Sequence, residues 1–187
     1  MHRPFASMRL LVPLLATLPM LACAPRAQED SLRPVHVEGV RLDPGSESPV
    51  VDLVEDGASG RGLRIWVGEF EAQSIARALG REPVIRPNPH DLLKNLLEGV
   101  EAHVRRTLVT ELRDGTYYAV IELELHGRAL EIDARPSDAI AVGLRTGAPM
   151  LVSESLLARS LEIPEDEGAL EIDLREHLRE TPEPPSL

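Results

Sequence analysis

Two stretches of alternating apolar and polar residues, 103–112 and 116–125, flank the dipeptide Asp114-Gly115. Glycine at that place supplies the positive φ of a two-residue hairpin turn, and the period of two puts every second side chain on one face. The middle of the chain is therefore a long antiparallel hairpin, against which the rest must pack. His126-Gly127-Arg128 is a second tight connection, and residues 129–134 return as a further strand.

The segments on either side read in the same way. Residues 35–42 alternate at period two, Asp43-Pro44-Gly45 turns the chain, and 50–54 and 63–67 add two strands around a Gly-rich turn at 56–62. The period then changes. Residues 69–79 place Ala72, Ile75 and Leu79 on one helical face, and Gly80 ends that helix. After a Pro-rich connection, Asn88-Pro89-His90-Asp91 carries an N-cap, a proline at the first helical position and an acid in the first turn. Leu92, Leu93, Leu96, Leu97 and Val100 give the second helix its apolar face. Pro136 opens a third helix that runs to about Arg145, with Gly147 near its end. Residues 150–152 form a short strand, and Ser153 caps a last short helix. The order β-β-β-α-α-β-β-β-α-β-α is an α+β pattern and lacks the regular βαβ alternation of a doubly wound sheet.

The chain has 187 residues, about one domain at roughly 100–200 residues each. Only 3% of them are aromatic, so the core is built from Leu, Val, Ile and Ala. Residues 1–22 read as an export signal: His2, Arg3 and Arg9 precede an uncharged apolar run, 10–22, that is too short to span a bilayer. The run ends in Met20-Leu21-Ala22-Cys23, which resembles a bacterial lipobox with Met20 in place of the usual Leu. Cys23 is the expected lipidation site; simple secretion by cleavage after a small-residue site is the alternative. It is also the single cysteine, which excludes an internal disulfide and a Cys-rich zinc site. The expected organisation is a signal peptide over 1–22, a tether over 23–33, a folded domain over 34–160 and an acidic tail over 161–187. The expected location is the cell envelope, with the membrane reached through the N-terminal lipid.

The formal net charge is −11, and loss of residues 1–22 removes two arginines and no acid. That balance disfavours a purely electrostatic attraction to nucleic acid. A local stripe from Arg77, Arg81, Arg86, Lys94, Arg105 and Arg106 would serve only if the fold gathered them.

The densest polar segment is Asp133-Ala134-Arg135-Pro136-Ser137-Asp138, at a strand end and a helix start. Carboxylates there can hold a cation or orient water, and Arg135 can clamp a phosphate oxygen. The same residues also serve as helix-start acids, caps and ion pairs. Glu69 and Glu71 stand at another strand-to-helix junction, either as dipole-favoured acids or as site residues. His90 is a general acid/base, a metal ligand or a solvated first-turn residue. No phosphate-binding Gly-rich loop, dinucleotide fingerprint, His-Glu-x-x-His or Gly-x-Ser-x-Gly is present. No organic cofactor is expected.

The chain resembles the bifunctional nuclease domain family. The resemblance rests on Ile65-Trp66-Val67-Gly68-Glu69-Phe70-Glu71-Ala72, His90-Asp91-Leu92-Leu93, Asp114-Gly115-Thr116-Tyr117-Tyr118-Ala119 and Asp133-Ala134-Arg135-Pro136-Ser137-Asp138-Ala139-Ile140-Ala141, followed by Arg145-Thr146-Gly147-Ala148-Pro149-Met150. It covers roughly residues 35–158. It implies an α+β fold with a curved mixed sheet, a homo-oligomer, and a nuclease acting on RNA and DNA. Carried over residue by residue, the candidate pocket is Glu71, His90, Asp91, Asp133, Arg135, Ser137 and Asp138. Asp133, Asp138 and Glu71 would hold Mg²⁺ or Mn²⁺, and Arg135, Arg105 and Arg106 would meet phosphate. The alternative is a non-catalytic envelope-associated domain that binds a protein or a small ligand.

Overall fold

The computed structural model describes residues 31–57, 60–80 and 86–159. The expected signal peptide, Cys23, the acidic tail and Arg81 lie outside the described residues. Seven strands and four helices follow one another in the expected order. They are β1 (Leu32–Leu42), β2 (Pro49–Glu55), β3 (Gly62–Trp66), α1 (Glu69–Gly80), α2 (Pro89–Gly99), β4 (Ala102–Arg113), β5 (Thr116–Leu125), β6 (Arg128–Ala134), α3 (Pro136–Thr146), β7 (Met150–Ser153) and α4 (Glu154–Leu157).

The strands form one mixed sheet in the order β3-β2-β1-β7-β4-β5-β6. Every neighbouring pair is antiparallel except β4 and β7, which run parallel. The two hairpin turns take the expected form: Asp114 and Gly115 have φ of 50° and 78°, and His126 and Gly127 have 50° and 75°. Register shifts between Val37 and Gly39 in β1, and at two places in β4, bend those strands and raise their local twist.

β1 begins three residues before the expected start. A proline without an N–H argues against a strand, yet Leu32 to Val35 pair with β7. Pro34 still uses its carbonyl, which accepts from the Asp56 amide at 3.0 Å.

α3 is the common neighbour of α1 and α2 and lies against β4 and β5. Its approach is close because Gly143 faces the sheet: a Cβ there would stand 3.1 Å from Thr107 Oγ1 and 3.2 Å from Met150 Cγ. The larger core cluster joins β1, β2 and β3 to Ile75, Ile140 and Leu157. A smaller one joins β5 to Ala139 and Val142. Both are aliphatic, as the composition requires.

Two helices depart from the expected burial. In α1, Ala72 and Ile75 are buried, but Leu79 is exposed and Ser74 turns inward. In α2 no residue is buried; only Leu97 packs against the smaller core, while Leu92, Leu93, Leu96 and Val100 face outward.

Candidate active site: a polar chain across three helix starts

α2 is fixed at its start by a reciprocal capping box. Asn88 Oδ1 accepts from the Asp91 amide and Asp91 Oδ2 accepts from the Asn88 amide, each at 2.9 Å. This satisfies two otherwise orphaned groups and aims the intervening His90 toward α1 and α3. α3 starts at Pro136 with Arg135 as the N-cap residue and no capping side chain. Asp138 lies in the first turn of that helix, where its charge complements the helix dipole.

Side chains from these starts, with Ser74 from the middle of α1 and Arg145 from the last turn of α3, form one continuous hydrogen-bonded chain. Ser74 Oγ accepts from Asn88 Nδ2 at 3.0 Å and from Arg145 Nη2 at 2.9 Å. Both donors are obligate, so the two lone pairs of Ser74 are occupied and its proton points to the third neighbour, His90 Nδ1, at 2.9 Å. His90 Nδ1 is thereby the acceptor, and Nε2 carries the proton, donated to Asp138 Oδ1 at 3.1 Å. Asp138 in turn accepts from Arg135 Nε at 2.8 Å and Nη2 at 2.9 Å. Arg135 Nη2 also reaches Glu71 Oε1 at 2.8 Å.

Burial pushes the Asp138 carboxyl up, but hydrogen bonds from Arg135 and His90 outweigh it and hold the group below the usual carboxylate range. Asp91 behaves alike: burial raises it, and the Asn88 amide and Arg145 bring it below its ordinary value. The Arg135 guanidinium is raised by its hydrogen bonds to Asp138 and Glu71 and is permanently charged.

Behind this chain, Arg145 is a buried keystone with only 7% of its side chain exposed. It donates to Asp91 Oδ1 at 2.6 Å, to Ser74 Oγ, and to the carbonyls of Ser74 and Ala141. In front of the chain lies a cavity of about 280 Å³ lined by residues that include Phe70, Glu71, Arg77, His90, Arg135 and Asp138.

Four candidates, Glu71, His90, Arg135 and Asp138, thus line one cavity. The other three do not line it. Asp91 spends one oxygen on the capping box and the other on Arg145. Ser137 is buried in α3. Asp133 is exposed on β6, opposite Val120. Among the described residues no three His, Cys, Asp or Glu side chains gather as metal ligands. The expected set of Asp133, Asp138 and Glu71 does not fit a shared Mg²⁺ or Mn²⁺: Asp133 is outside the cavity, and the Arg135 guanidinium already bridges the other two carboxylates. Nor do Arg105 and Arg106 line the cavity; they pair with Glu124 and Glu122 across the sheet. Lys94 pairs with Glu98, so among the described residues the expected basic stripe is represented at the cavity by Arg77 alone.

Ser74, Asn88 and Arg145 were not among the sequence candidates for the pocket. Arg145 stands in the last turn of α3, where a basic residue is ordinary, so its position did not mark it. Gly68 also belongs to the site: a Cβ there would stand 2.4 Å from Glu71 Oε2. Glycine before α1 is what lets the Glu71 carboxylate fold back over the backbone.

Sequence comparison gives the family. The bifunctional nuclease domain matches residues 53–164, and the chain belongs to that family. An uncharacterized protein of Mycobacterium tuberculosis is 36% identical over 134 residues, covering 71% of this chain and 79% of that protein. Bifunctional nuclease 1 of Arabidopsis thaliana is 29% identical over 130 residues, covering 67% of this chain and 40% of the plant protein. Bifunctional nuclease 2 of the same plant is 30% identical over 112 residues, covering 58% of this chain and 34% of that protein.

Proposed function

We propose that the chain hydrolyses phosphodiester bonds of RNA, DNA or both, at the cavity lined by Glu71, His90, Arg135 and Asp138. The observation that carries this reading is the meeting there of a fixed guanidinium and a carboxylate oxygen, Glu71 Oε2, that accepts no hydrogen bond among the described residues. Arg135 is held through Nε and Nη2, which leaves Nη1 for a phosphoryl oxygen and its developing charge. Glu71 holds Arg135 through Oε1. Its Oε2 is the group assigned to take a proton from the attacking water. As the water oxygen joins phosphorus, the bond to the leaving oxygen breaks. Asp138 anchors the guanidinium, and His90 fixes Asp138. The name of the plant relatives supports the substrate class.

The test is cleavage of labelled RNA and DNA by the full chain, with Mg²⁺, Mn²⁺ and EDTA arms and Asp138→Ala as the control. Cleavage lost in the folded variant supports the site; cleavage retained by it removes the assignment.

The reading includes an exported, lipid-anchored chain, on the strength of Met20-Leu21-Ala22-Cys23. No helix among the described residues is long and apolar enough to cross a membrane. Labelled fatty acid incorporated by the wild type and not by Cys23→Ala is the expected result; equal labelling of both contradicts it. It includes self-association as well, supported by the outward apolar face of α2.

A second reading is favoured by the ion pairs themselves. Arg135 neutralises both carboxylates, an arrangement that also suits a non-catalytic binding domain of the envelope. No cleavage in any arm, from a folded sample, would favour it.

A further inference from the structure

We infer that Phe70 is a stacking platform for a nucleobase, so that this site takes its nucleic acid as a single strand. The inference rests on the hydrolytic reading above and names its substrate form. Phe70 is 81% exposed, more than any other large apolar side chain exposed among the described residues. An exposed apolar side chain alone is ordinary. Phe70 differs in position: it precedes Glu71 in the first turn of α1 and lines the same cavity as Arg135 and Asp138. A ring and a guanidinium on one cavity are the two contacts a nucleotide needs, one for the base and one for the phosphate.

Charge makes the ring necessary. The chain carries a net charge of −11, and the carboxylates of Glu71 and Asp138 take Nε and Nη2 of Arg135, which leaves Nη1 for one phosphate contact. Duplex binding depends chiefly on many Lys or Arg contacts to phosphates. Here Arg105, Arg106 and Lys94 are paired with acids away from the cavity. A contribution that salt does not screen has to supply affinity, and stacking is one. A base inside a duplex is already stacked on its neighbours and reaches Phe70 only after it is unstacked. A cavity of about 280 Å³ is on the scale of one small ligand rather than of a double helix.

The experiment measures binding and cleavage by the full chain, using a short adenine-rich single-stranded oligonucleotide, the same strand with abasic linkers, and its duplex. The proteins are wild type, Phe70→Ala and Phe70→Trp. Phe70→Ala is expected to weaken binding of the intact strand about ten- to hundredfold, to leave binding of the abasic strand unchanged, and to keep its melting temperature. Phe70→Trp is expected to restore binding. Unchanged binding of the intact strand by Phe70→Ala, an equal loss on the abasic strand, or duplex bound as tightly as single strand would overturn the inference. Phe70-dependent binding without cleavage would sustain stacking and remove the hydrolytic reading. Cleavage with a neutral Phe70→Ala would do the reverse.

Discussion

His90 Nε2 lies 3.1 Å from Asp138 Oδ1, joining the first turn of α2 to the first turn of α3. The bond is directional because Ser74, with both lone pairs filled, commits its proton to the other ring nitrogen. Removing that hydroxyl has two consequences. Ser74→Ala leaves Asn88 Nδ2 without its acceptor and Arg145 Nη2 with only the Ser74 carbonyl, a loss of about 1 kcal/mol because the unpaired donor is only half-buried. It also releases His90 from a single tautomer. Denaturant unfolding measures the first, and imidazole nitrogen chemical shifts measure the second. A wild type with the proton on Nδ1 would contradict the chain of donors described above.

Gly68 and Glu71 form a second coupled pair. Gly68→Ala places a methyl 2.4 Å from where Glu71 Oε2 stands, so the end of that carboxylate must shift from its place beside Arg135. Cleavage is expected to fall by at least tenfold with the fold retained. In Glu71→Ala the same glycine change should add little, because the clashing group is gone. A double-mutant cycle checks this, and strict additivity would show that the two residues are independent.

Much of this geometry was legible in the sequence, and for identifiable reasons. Asp114-Gly115 and His126-Gly127 announced their turns because positive φ is selective. Asn88-Pro89-His90-Asp91 announced a helix start because capping is local chemistry. Residues 32–34 were hidden by Pro34, whose missing donor is tolerated only through partners far along the chain. Ser74 and Arg145 were hidden for the same reason: their partners lie on other helices, and no periodicity encodes that. The outward face of α2 shows the converse, since an apolar stripe does not say what covers it.

Stability at low pH follows from the carboxylates. Glu154 is pushed down to about 2, from an ordinary 4.5, by hydrogen bonds from Arg61 and Arg33. A depressed carboxyl contributes stability above its unfolded value and loses it as pH falls through the folded one. Stability is therefore expected to decline from about pH 4.5 toward pH 2, with Asp91 and Asp138 acting in the same direction. Asp52 opposes them: burial, the largest cause, raises it despite Arg41, so its contribution diminishes as pH rises through its folded value. Glu154→Gln should flatten the acid limb in a series of thermal melts. An unchanged limb would mean that the pairs with Arg33 and Arg61 do not form in solution.

The outward face of α2 predicts self-association. Leu96, 56% exposed, stands in the middle of it. Leu96→Glu is expected to convert an oligomer to a monomer in light scattering without lowering helix content, since the residue makes little use of the protomer's own core. A monomeric wild type at micromolar concentration would contradict that role for α2.

The central claim is that Glu71, poised beside Arg135, performs the chemistry in the cavity. The most direct measurement is the single-turnover cleavage rate of Glu71→Gln against wild type on one single-stranded substrate, with melting temperatures taken in parallel. The glutamine keeps the shape and the oxygen that faces Arg135, and removes the proton acceptor. A rate lower by about 10²–10⁴-fold, the usual contribution of a general base, in a protein that melts within a few degrees of wild type is the result expected. A folded variant that cleaves at the wild-type rate would contradict the account.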